Sequence, residues 1–424
     1  MDPQGIPWQS LDQTRDDYRA TRLRNYHNYT NVGDEERRAP QEDLAAEIAR
    51  HPVRTGGRYF AFENNARDLH SSIVHFQLRN LVCATTAHDV FVTHSSDIQH
   101  YSYLTGVCTP VLSLHQLALC RVQVSTMCVR GSIVLAGGFY GDMVCVRVPG
   151  DLRGAQAGLA KGGSCGEVVC CERITSDENA ITNSIVLHES SSGALQAVIS
   201  NNDCAVRVMD VETSFTELSK TEFDWAVNYT AMAPDGKLAC VVGDATEAVI
   251  IDQATGQRVA ECDKHHDFSF AAAWHPGGDI LATGNQDKTA RLWDRRMWRC
   301  LATLSGHMGA IRSIRFSSDG RYMAMAEPAD FVHLYDVASN CQEVQELDMF
   351  GEIAGISMSP DGDALFVGIA DRTYGSMMQF RRTRSGIFSD PDSAPSASER
   401  SSRPLGYTSF LPRPEQPAET AELP

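Results

Sequence analysis

Two residues in one stretch of this 424-residue sequence, His265 and Asp287, carry side chains that could do chemistry. A histidine paired with an aspartate can act as a general base near neutral pH. The sequence, however, contains no phosphate-binding loop, nucleophile elbow, zinc-protease motif or EF-hand loop. We therefore expect no catalytic residue in this chain. If the histidine and the aspartate are buried, they need hydrogen-bond partners, which a closed network would supply.

This stretch belongs to a repeat with a period of 42 residues. His265 recurs as His307, and Trp293-Asp294 recurs as Tyr335-Asp336. A fixed period in this range is typical of architectures that repeat one small structural unit. Two landmarks keep the same spacing, an aspartate at positions 210, 252, 294 and 336 and a polar turn that begins at positions 234, 276, 318 and 360.

Each repeat contains short apolar runs separated by polar turns. In one copy, the run Asp279–Thr283 follows a Pro-Gly-Gly turn, and the polar turn Asn285–Lys288 leads into the alternating run Ala290–Trp293. Short strands joined by such turns form an antiparallel meander. A single meander cannot bury both of its faces, so several must stack.

The pairs Gly306-His307 and Trp293-Asp294 resemble the signature of the WD-repeat, or transducin-like, family. This resemblance implies an all-β fold, a β-propeller that usually has seven blades in this family. It also implies a buried hydrogen-bonding tetrad with a structural role. By that resemblance, the tetrad here consists of His265, Thr283, Asp287 and Trp293.

We expect three regions, namely a helical or irregular N-terminal extension over residues 1–56, a seven-bladed propeller over 57–382 and a disordered tail over 383–424. The tail is rich in Ser, Pro and Glu, and its few apolar residues cannot offset the entropy cost of ordering. The predicted blades span about 73–101, 122–148, 180–211, 225–252 and 353–380, with two more within 265–336 and a long loop within 149–172.

The extension contains two predicted helices, Leu11–Tyr29 and Glu42–Arg50. Tyr18, Arg22 and Tyr26 fall near one face of the first helix at helical spacing. Two interpretations are open. The extension docks these side chains on the propeller, or it is an arm that binds a partner through them.

The first predicted strand is Arg58–Phe62. In WD-repeat proteins such an N-terminal strand often completes the last blade. We predict that Tyr59–Phe62 pairs with the chain near Met377–Arg381. Closing the ring in this way removes sheet edges that would otherwise invite aggregation.

Two further segments extend the resemblance to one subfamily of WD-repeat proteins. The segments Tyr18–Asn31 and Ser359–Ser376 resemble parts of a plant, algal and fungal WD-repeat subfamily with a C-terminal domain of unknown function. With the repeats, this resemblance covers about residues 8 to 382. The subfamily implies no settled biochemical activity.

The segment Leu281–Arg296 is a sixteen-residue box that ends in W-D-x-R. It resembles the box through which some WD-repeat proteins bind the large adaptor of cullin-4 RING ubiquitin ligases. In that family the informative position is the arginine two residues after the WD aspartate, which corresponds here to Arg296 after Asp294. The alternative is an ordinary solvated arginine in a well-formed repeat.

The composition limits which functional classes remain possible for this protein. The net charge of −17 and the pI of about 5.2 argue against a general nucleic-acid or anionic-membrane binder, since both need a basic surface. The 13 cysteines are scattered, without C-x-x-C, and the N-terminus lacks a secretory signal. We expect reduced thiols, a cytoplasmic or nuclear location, a monomer, and no cofactor, metal or small-molecule substrate.

Three functions compete. The first is a non-catalytic scaffold whose propeller loops bind protein partners. The second is a substrate receptor that binds a cullin-4 adaptor through residues 281–296. The third is an enzyme with its site at the central channel, which would need converging titratable groups with shifted pKa values there.

Overall fold

The computed structural model describes residues 2–31, 38–95, 97–113, 122–150, 165–190, 192–212 and 215–383. The predicted disordered tail lies outside these residues except for its first position, and so does most of the predicted loop within 149–172. Among the described residues, no helix combines the length and apolar character that a membrane span requires.

The N-terminal extension holds helices α1 (Arg15–Asn25) and α2 (Arg38–Arg50) and a short strand β1 (Arg54–Thr55). Strand β2 (Phe60–Ala66) follows. The predicted helix over Leu11–Tyr29 is therefore too long at both ends. Thr14 caps α1 by accepting a hydrogen bond from the Asp17 amide, and the chain becomes extended at Tyr26.

The remaining described strands form four-stranded units, the blades. Blade one has β3 (Val82–Ala84), β4 (Asp89–His94), β5 (Asp97–Ser102) and β6 (Val107–Ser113). Blade two has β7 (Val124–Arg130), β8 (Ile133–Gly138), β9 (Asp142–Arg147) and β10 (Glu167–Arg173). Blade three has β11 (Thr182–Glu189), β12 (Leu195–Asn201), β13 (Ala205–Asp210) and β14 (Glu217–Glu222). Blade four has β15 (Val227–Met232), β16 (Leu238–Gly243), β17 (Ala248–Asp252) and β18 (Arg258–Cys262).

Blade five has β19 (Ser269–Trp274), β20 (Ile280–Asn285), β21 (Thr289–Asp294) and β22 (Arg299–Ser305). Blades six and seven share one eight-stranded sheet that contains β23 (Ser313–Phe316), β24 (Tyr322–Ala326), β25 (Ala329–Asp336), β26 (Glu343–Met358), β27 (Ala364–Ala370) and β28 (Ser376–Arg382). They are joined because β26 pairs with β25 through its first half and with β27 through its second. Counted this way, the described residues form the predicted seven blades.

The ring closes through β2, which is the outer strand of blade seven. It pairs antiparallel with β28, and Phe60 lies opposite Arg382, Phe62 opposite Phe380 and Ala66 opposite Met377. This pairing confirms the predicted closure. The short β1 pairs in parallel with the first half of β26, so part of the extension also joins the sheet.

Neighbouring blades share their apolar cores. Between blades four and five, Cys240 and Ile250 pack in one cluster with Ala272, Leu281 and Trp293. Each blade therefore buries its second face against the next blade, as a stacked meander must. Outside these cores, Cys171 is disulfide-bonded, which the expectation of reduced thiols did not anticipate.

The predicted blade spans are too short because they omit the outer strands. Strands β14 and β18 consist mostly of exposed and partly exposed residues, so the hydrophobic pattern that marks inner strands is absent. The first predicted blade begins at residue 73, but residues 72–78 are irregular, with Phe76 58% exposed, and blade one begins at β3. An apolar run alone did not distinguish a connection from a strand.

Removing residues 1–66 should expose the edge of β28 and remove Phe60, which is 2% exposed. We expect the free energy of unfolding to fall by at least about 3 kcal/mol, the usual cost of losing one buried phenylalanine, and the protein to aggregate. Thermal melting and size-exclusion chromatography measure both effects.

The matched control lacks residues 1–57 and keeps β2. The closure of the ring by β2 would be contradicted if the chain without residues 1–66 stays monomeric and has the same melting temperature as this control. Removing the tail from residue 386 should leave the melting temperature unchanged.

Candidate partner-binding face and the buried tetrad

The two ends of the ring differ because strands alternate in direction along each blade. The first-to-second and third-to-fourth strand turns emerge at one end, and the second-to-third turns and the links between blades emerge at the other. Residues Gln4–Asn31 of the extension contact the second end, which we call the arm face. The other end is the opposite face. The first strands of neighbouring blades contact one another and surround the central channel.

The structure brings the four predicted tetrad residues together in blade five. Trp293 Nε1 donates to Thr283 Oγ1 at 2.8 Å, and His265 Nε2 lies 2.8 Å from the same hydroxyl. His265 Nδ1 lies 3.0 Å from Asp287 Oδ2. One arrangement of protons satisfies every atom, in which the Thr283 hydroxyl donates to Nε2 and the Nδ1 proton is donated to Asp287.

Asp287 also orders the turn between β20 and β21. Its carboxylate accepts from the backbone amides of His266 and Thr289 and from the Thr289 hydroxyl, at 3.2, 2.9 and 2.6 Å. The turn needs this support because Lys288 adopts a left-handed conformation with φ of 69°. The His265 side chain is 0% exposed and that of Asp287 is 4% exposed. The histidine and the aspartate of the tetrad are thus enclosed.

The pKa values in the tetrad follow from burial and pairing. Burial lowers the pKa of His265, although Asp287 partly opposes this, so the imidazole is neutral near pH 7. Burial favours the neutral form of Asp287, but the bonds from His265, Thr289 and His266 outweigh it and lower the pKa to about 2. The stabilisation from this carboxylate is therefore complete above the unfolded pKa of about 3.9 and is lost as the pH falls towards 2.

Blade six departs from this pattern. The positions 42 residues after the tetrad hold His307, Met325, Ala329 and Tyr335, so the threonine and the aspartate are both missing. Glu327 orders the link before β23 instead. It accepts from the backbone amides of His307, Met308 and Gly309 at 2.7, 2.6 and 2.7 Å.

On the arm face, α1 lies against blades six and seven. Its first turn carries Asp16 and Asp17 and its last turn carries Arg22 and Arg24, charges that favour a helix in this direction. Arg15, Arg19 and Arg22 follow one another at i, i+4 and i+7 and share one face. That face points at the propeller.

Two aspartates of the propeller receive these arginines. Arg19 Nη1 lies 2.6 Å from Asp330 Oδ2, and Arg22 Nη2 donates to Asp330 Oδ1 at 2.8 Å. Arg15 Nη1 lies 2.9 Å from Asp348 Oδ2, and Arg19 also pairs with Asp348. The Asp330 side chain is 0% exposed, so these arginines offset the cost of burying its carboxylate.

Aromatic contacts fill the space beside the ion pairs. Tyr18 and Trp8 both pack on Phe350, with ring centroids 5.0 and 5.2 Å away. The Arg19 guanidinium lies 4.2 Å from the Phe350 centroid and 4.5 Å from that of Phe331. Beside them is a cleft of about 810 Å³, whose lining includes Trp8, Tyr18 and Phe350.

Beyond α1 the arm continues to blade five. Asn28 and Gln286 exchange two hydrogen bonds of 2.8 Å, and Asn31 Nδ2 donates to Asp267 Oδ1 at 2.6 Å. These bonds explain why α1 stops early, since a continued helix would not reach blade five. Tyr26 lies so close to the link before β23 that a Cβ on Gly309 would be 3.0 Å from its ring.

Two arginines lie at the mouth of the channel on the arm face, each 4% exposed. Arg312 Nη2 donates to Gln286 Oε1 at 2.6 Å, and its guanidinium lies 3.9 Å from the Phe270 centroid. Arg79 Nη2 donates to Glu352 Oε2 at 3.2 Å. The partners of Arg312 are thus an amide and an aromatic ring, whereas the partner of Arg79 is a carboxylate.

Several titratable groups at this end of the channel have shifted pKa values. Burial, with the charge of Arg79, lowers the pKa of Arg312 to about 9. Burial raises the pKa of Tyr26 and lowers that of His75. At neutral pH Arg312 and Tyr26 keep their protons, so these two groups suit binding better than proton transfer.

The predicted partner-binding residues therefore fall at two ends. Tyr18, Arg22 and Tyr26 contact their own propeller on the arm face. Arg296 lies on the opposite face, between β21 and β22, with its side chain 56% exposed. Its Nε and Nη2 donate to Asp294 Oδ1 and Oδ2 at 3.1 and 2.9 Å, a bidentate pair that lowers the pKa of Asp294.

Sequence reasoning missed Arg15 and Arg19 on the helix, although their spacing with Arg22 was visible. It could not find Asp330 or Asp348, because the local sequence around an aspartate does not show whether a helix from a distant part of the chain packs on it. The burial of Asp330 depends on a contact between residues more than 300 positions apart.

Comparisons with known proteins agree with this fold. The family model "WD domain, G-beta repeat" matches residues 256–294 and 298–330. Pre-mRNA-processing factor 19 homolog 2 of Arabidopsis thaliana is 31% identical over 113 residues, 27% of this chain and 20% of that protein. Nuclear distribution protein nudF of Aspergillus niger is 22% identical over 176 residues, 36% of this chain and 39% of that protein. The chain thus spans less than two fifths of these relatives.

A solved structure is similar over most of the ring. A chain in the crystal structure of the mitotic checkpoint complex superposes with a TM-score of 0.61, covering 77% of this chain and 94% of that one at 15% identity. At this identity the likeness concerns the fold alone. With the matched repeats and the seven blades, it defines a β-propeller fold that contains WD repeats over residues 256–294 and 298–330.

We predict that Asp287→Ala lowers the free energy of unfolding by about 1–3 kcal/mol, because His265 and three further donors lose a buried acceptor. Denaturant unfolding at neutral pH measures the change. Between pH 4 and pH 2 the variant should also lose part of the acid sensitivity of the wild type, given the pKa of about 2.

The matched control is Asp224→Ala, which removes an exposed aspartate. Its stability should stay within about 0.5 kcal/mol of the wild type. An Asp287→Ala variant as stable as this control would show that the tetrad does not stabilise the blade.

Proposed function

We propose that this protein is a non-catalytic scaffold that binds other proteins through the faces of its propeller. The observation that carries the proposal is α1 on the arm face, where two aspartates and two phenylalanines hold a three-arginine helix. A surface that binds a helix of its own chain has the chemistry to bind a helix of a partner. Arginines beside aromatic rings are also typical of protein interfaces.

The closed ring supports this role physically. Each blade is fixed by two neighbours, so loops at the faces are held at constant spacing while their sequences are free to differ. The arm face adds a cleft of about 810 Å³ beside α1, in which a partner would meet Trp8, Tyr18 and Tyr374. The extension, proposed to span residues 1–56, would then form part of the binding surface.

The relatives are compatible with such a role. Their names place them in pre-mRNA processing and nuclear distribution, and the similar solved chain comes from a complex of several proteins. A cytoplasmic or nuclear location is proposed here on the same grounds. Membership of the plant, algal and fungal subfamily stays a proposal that depends on residues 18–31 and 359–376.

The enzyme hypothesis has less support. The shifted groups at the channel mouth, Arg312 and Tyr26, keep their protons at neutral pH, and the His–Asp pair of the tetrad is enclosed. Arg312, Tyr26 and the enclosed His–Asp pair therefore do not provide an accessible general base. The phenol and guanidinium groups favour recognition of a partner.

The scaffold proposal predicts that the arm binds in trans. A peptide of residues 1–31 should bind a chain that lacks these residues, and calorimetry should measure the affinity. Arg19→Ala with Arg22→Ala in the peptide removes the partners of Asp330 and should weaken binding by about 1.5–3 kcal/mol. Arg24→Ala is the matched control, since Arg24 is exposed and does not contact the propeller.

The same substitutions in the full-length chain test the function. Affinity purification with mass spectrometry should recover specific proteins with the wild type, and the set should change when Arg19 and Arg22 are replaced but not when Arg24 is. If no protein is enriched over a control bait in any form, the scaffold proposal is wrong.

The cullin-4 receptor role is the narrower alternative. Its motif ends at Arg296, which already binds Asp294 within the same blade and has no feature beyond exposure that favours a partner. A contact would have to compete with this bidentate pair. We therefore keep the general scaffold as the proposal and use one experiment to decide the alternative.

If Arg296 contacts the ligase adaptor, Arg296→Ala should weaken adaptor binding by about 1–3 kcal/mol. Stability should barely change because the side chain is exposed. A pull-down of the adaptor, with melting curves as the folding control, measures both. Equal recovery with Arg295→Ala and Arg296→Ala would exclude a specific role of Arg296, and no recovery with the wild type would exclude the receptor role.

A further inference from the structure

Blade six places three potential metal ligands side by side at its arm-face corner. His307, His333 and Glu346 each offer one ligand atom, and these atoms lie within 4.8 Å of one another. His333 and Glu346 are direct cross-strand partners on β25 and β26, so the register of the sheet fixes their separation. His307 comes from the link before β23, with its ring centroid 5.1 Å from that of His333.

These residues are available because blade six has lost the tetrad. In blade five, the equivalent histidine is bound by Thr283 and Asp287 and is fully enclosed. In blade six those positions hold Met325 and Ala329, whose side chains offer His307 at most a weak thioether acceptor. His307 turns to Glu346 instead, with Nε2 2.8 Å from Oε1 and 41% of its side chain exposed.

Glu327 gives the corner a supporting carboxylate. Its Oε1 lies 2.8 Å from His333 Nε2, and both side chains are at most 1% exposed. A carboxylate on one nitrogen of an imidazole orients the ring and strengthens its other nitrogen as a ligand, as in many protein zinc sites. Three backbone amides hold Glu327 in place, so the support is rigid.

The surrounding charge suits a cation. Glu327, Glu346, Asp330 and Asp348 carry four negative charges in this region, and the arm supplies three arginines. Both aspartates are already paired with these arginines. With four carboxylates and three arginines, the region keeps a formal net charge of −1, which favours a divalent cation.

We propose that His307, His333 and Glu346 form a binding site for a divalent transition-metal ion, with zinc as the best match. Two imidazoles and one carboxylate are a common zinc ligand set with one position left open. Zinc bonds of about 2.0 Å place tetrahedral ligand atoms about 3.3 Å apart, which small side-chain rotations reach from the observed separations. Sequence alone did not predict the site because the ligands share no motif.

The ion would join the link before β23 to the third and fourth strands of blade six. Glu346 lies two residues before Asp348, and the His307 ring lies 4.8 Å from that of Phe331, which also contacts Arg19. Metal binding would thus fix the corner of the arm face on which α1 docks.

Cobalt titration of the full-length protein tests the site, because Co²⁺ reports its ligands by absorption. We expect one equivalent to bind with the intense visible bands of low-coordinate cobalt and without thiolate charge-transfer bands, although the chain has 13 cysteines. Zinc should displace the cobalt, and it should raise the melting temperature of the wild type.

His307→Gln and Glu346→Gln should each weaken cobalt binding tenfold or more, since even supporting residues of metal sites have effects of about that size. Both side chains are partly exposed, so both variants should fold, and their metal-free melting temperatures check this. The controls are His27→Gln, an exposed histidine on the arm, and Glu343→Gln on the same strand as Glu346.

Three results would overturn the proposal. They are no saturable cobalt binding by the wild type, a spectrum with thiolate bands, and unchanged affinity in both ligand variants. Loss of affinity in the two controls as well would equally show that the bound metal lies elsewhere.

Discussion

The structure depends on one strand pairing, that of β2 with β28. A ring of sheets has two free edges until its ends are joined, and here residues 60–66 from the start of the chain supply the outer strand of blade seven. The Gln345 side chain strengthens the joint from blade six, since its Oε1 accepts from the Tyr59 and Phe60 amides and its Nε2 donates to the Phe60 carbonyl. Because each blade shares its core with its neighbours, opening this joint would loosen blades six and seven first and then the ring.

Closure also determines where the N-terminal arm lies. The chain must return to blade seven to form β2, so the residues before it run close to blades five, six and seven. The arm crosses the arm face there and is held by charges that need it, because Asp330 is fully buried and both of its cationic partners come from α1. Burying a carboxylate without a partner costs several kcal/mol, so the arm is part of the folded structure and not a loose tether. A partner that displaces it would have to supply equivalent cations.

The sequence predicted the parts of this fold that repeat. The 42-residue period and the alternating apolar residues lie in the inner strands, which face the same packing in every blade, so their pattern is regular. Outer strands such as β14 and β18 face solvent on one side and carry no such pattern. The helix α1 was predicted too long because its end is set by the hydrogen bonds of Asn28 and Asn31 to blade five. The partners of its arginines could not be predicted either, because they too lie far away in the sequence. Contacts between distant residues leave no local periodicity.

Blades five and six show how one repeat supports two kinds of chemistry. The backbone keeps the same turn in both, and Lys288 and Asp330, 42 residues apart, share the left-handed conformation with φ of 69° and 71°. In blade five the polar side-chain atoms of the tetrad form hydrogen bonds with one another, which stabilises the blade and leaves the histidine unavailable to a ligand. In blade six, Glu327 takes over the ordering of the loop, and His307, Glu346 and Asp330 become available to an ion or to the arm. In a repeat protein, the positions that break the repeat while the backbone keeps it are therefore the ones where binding chemistry can be placed without loss of the fold.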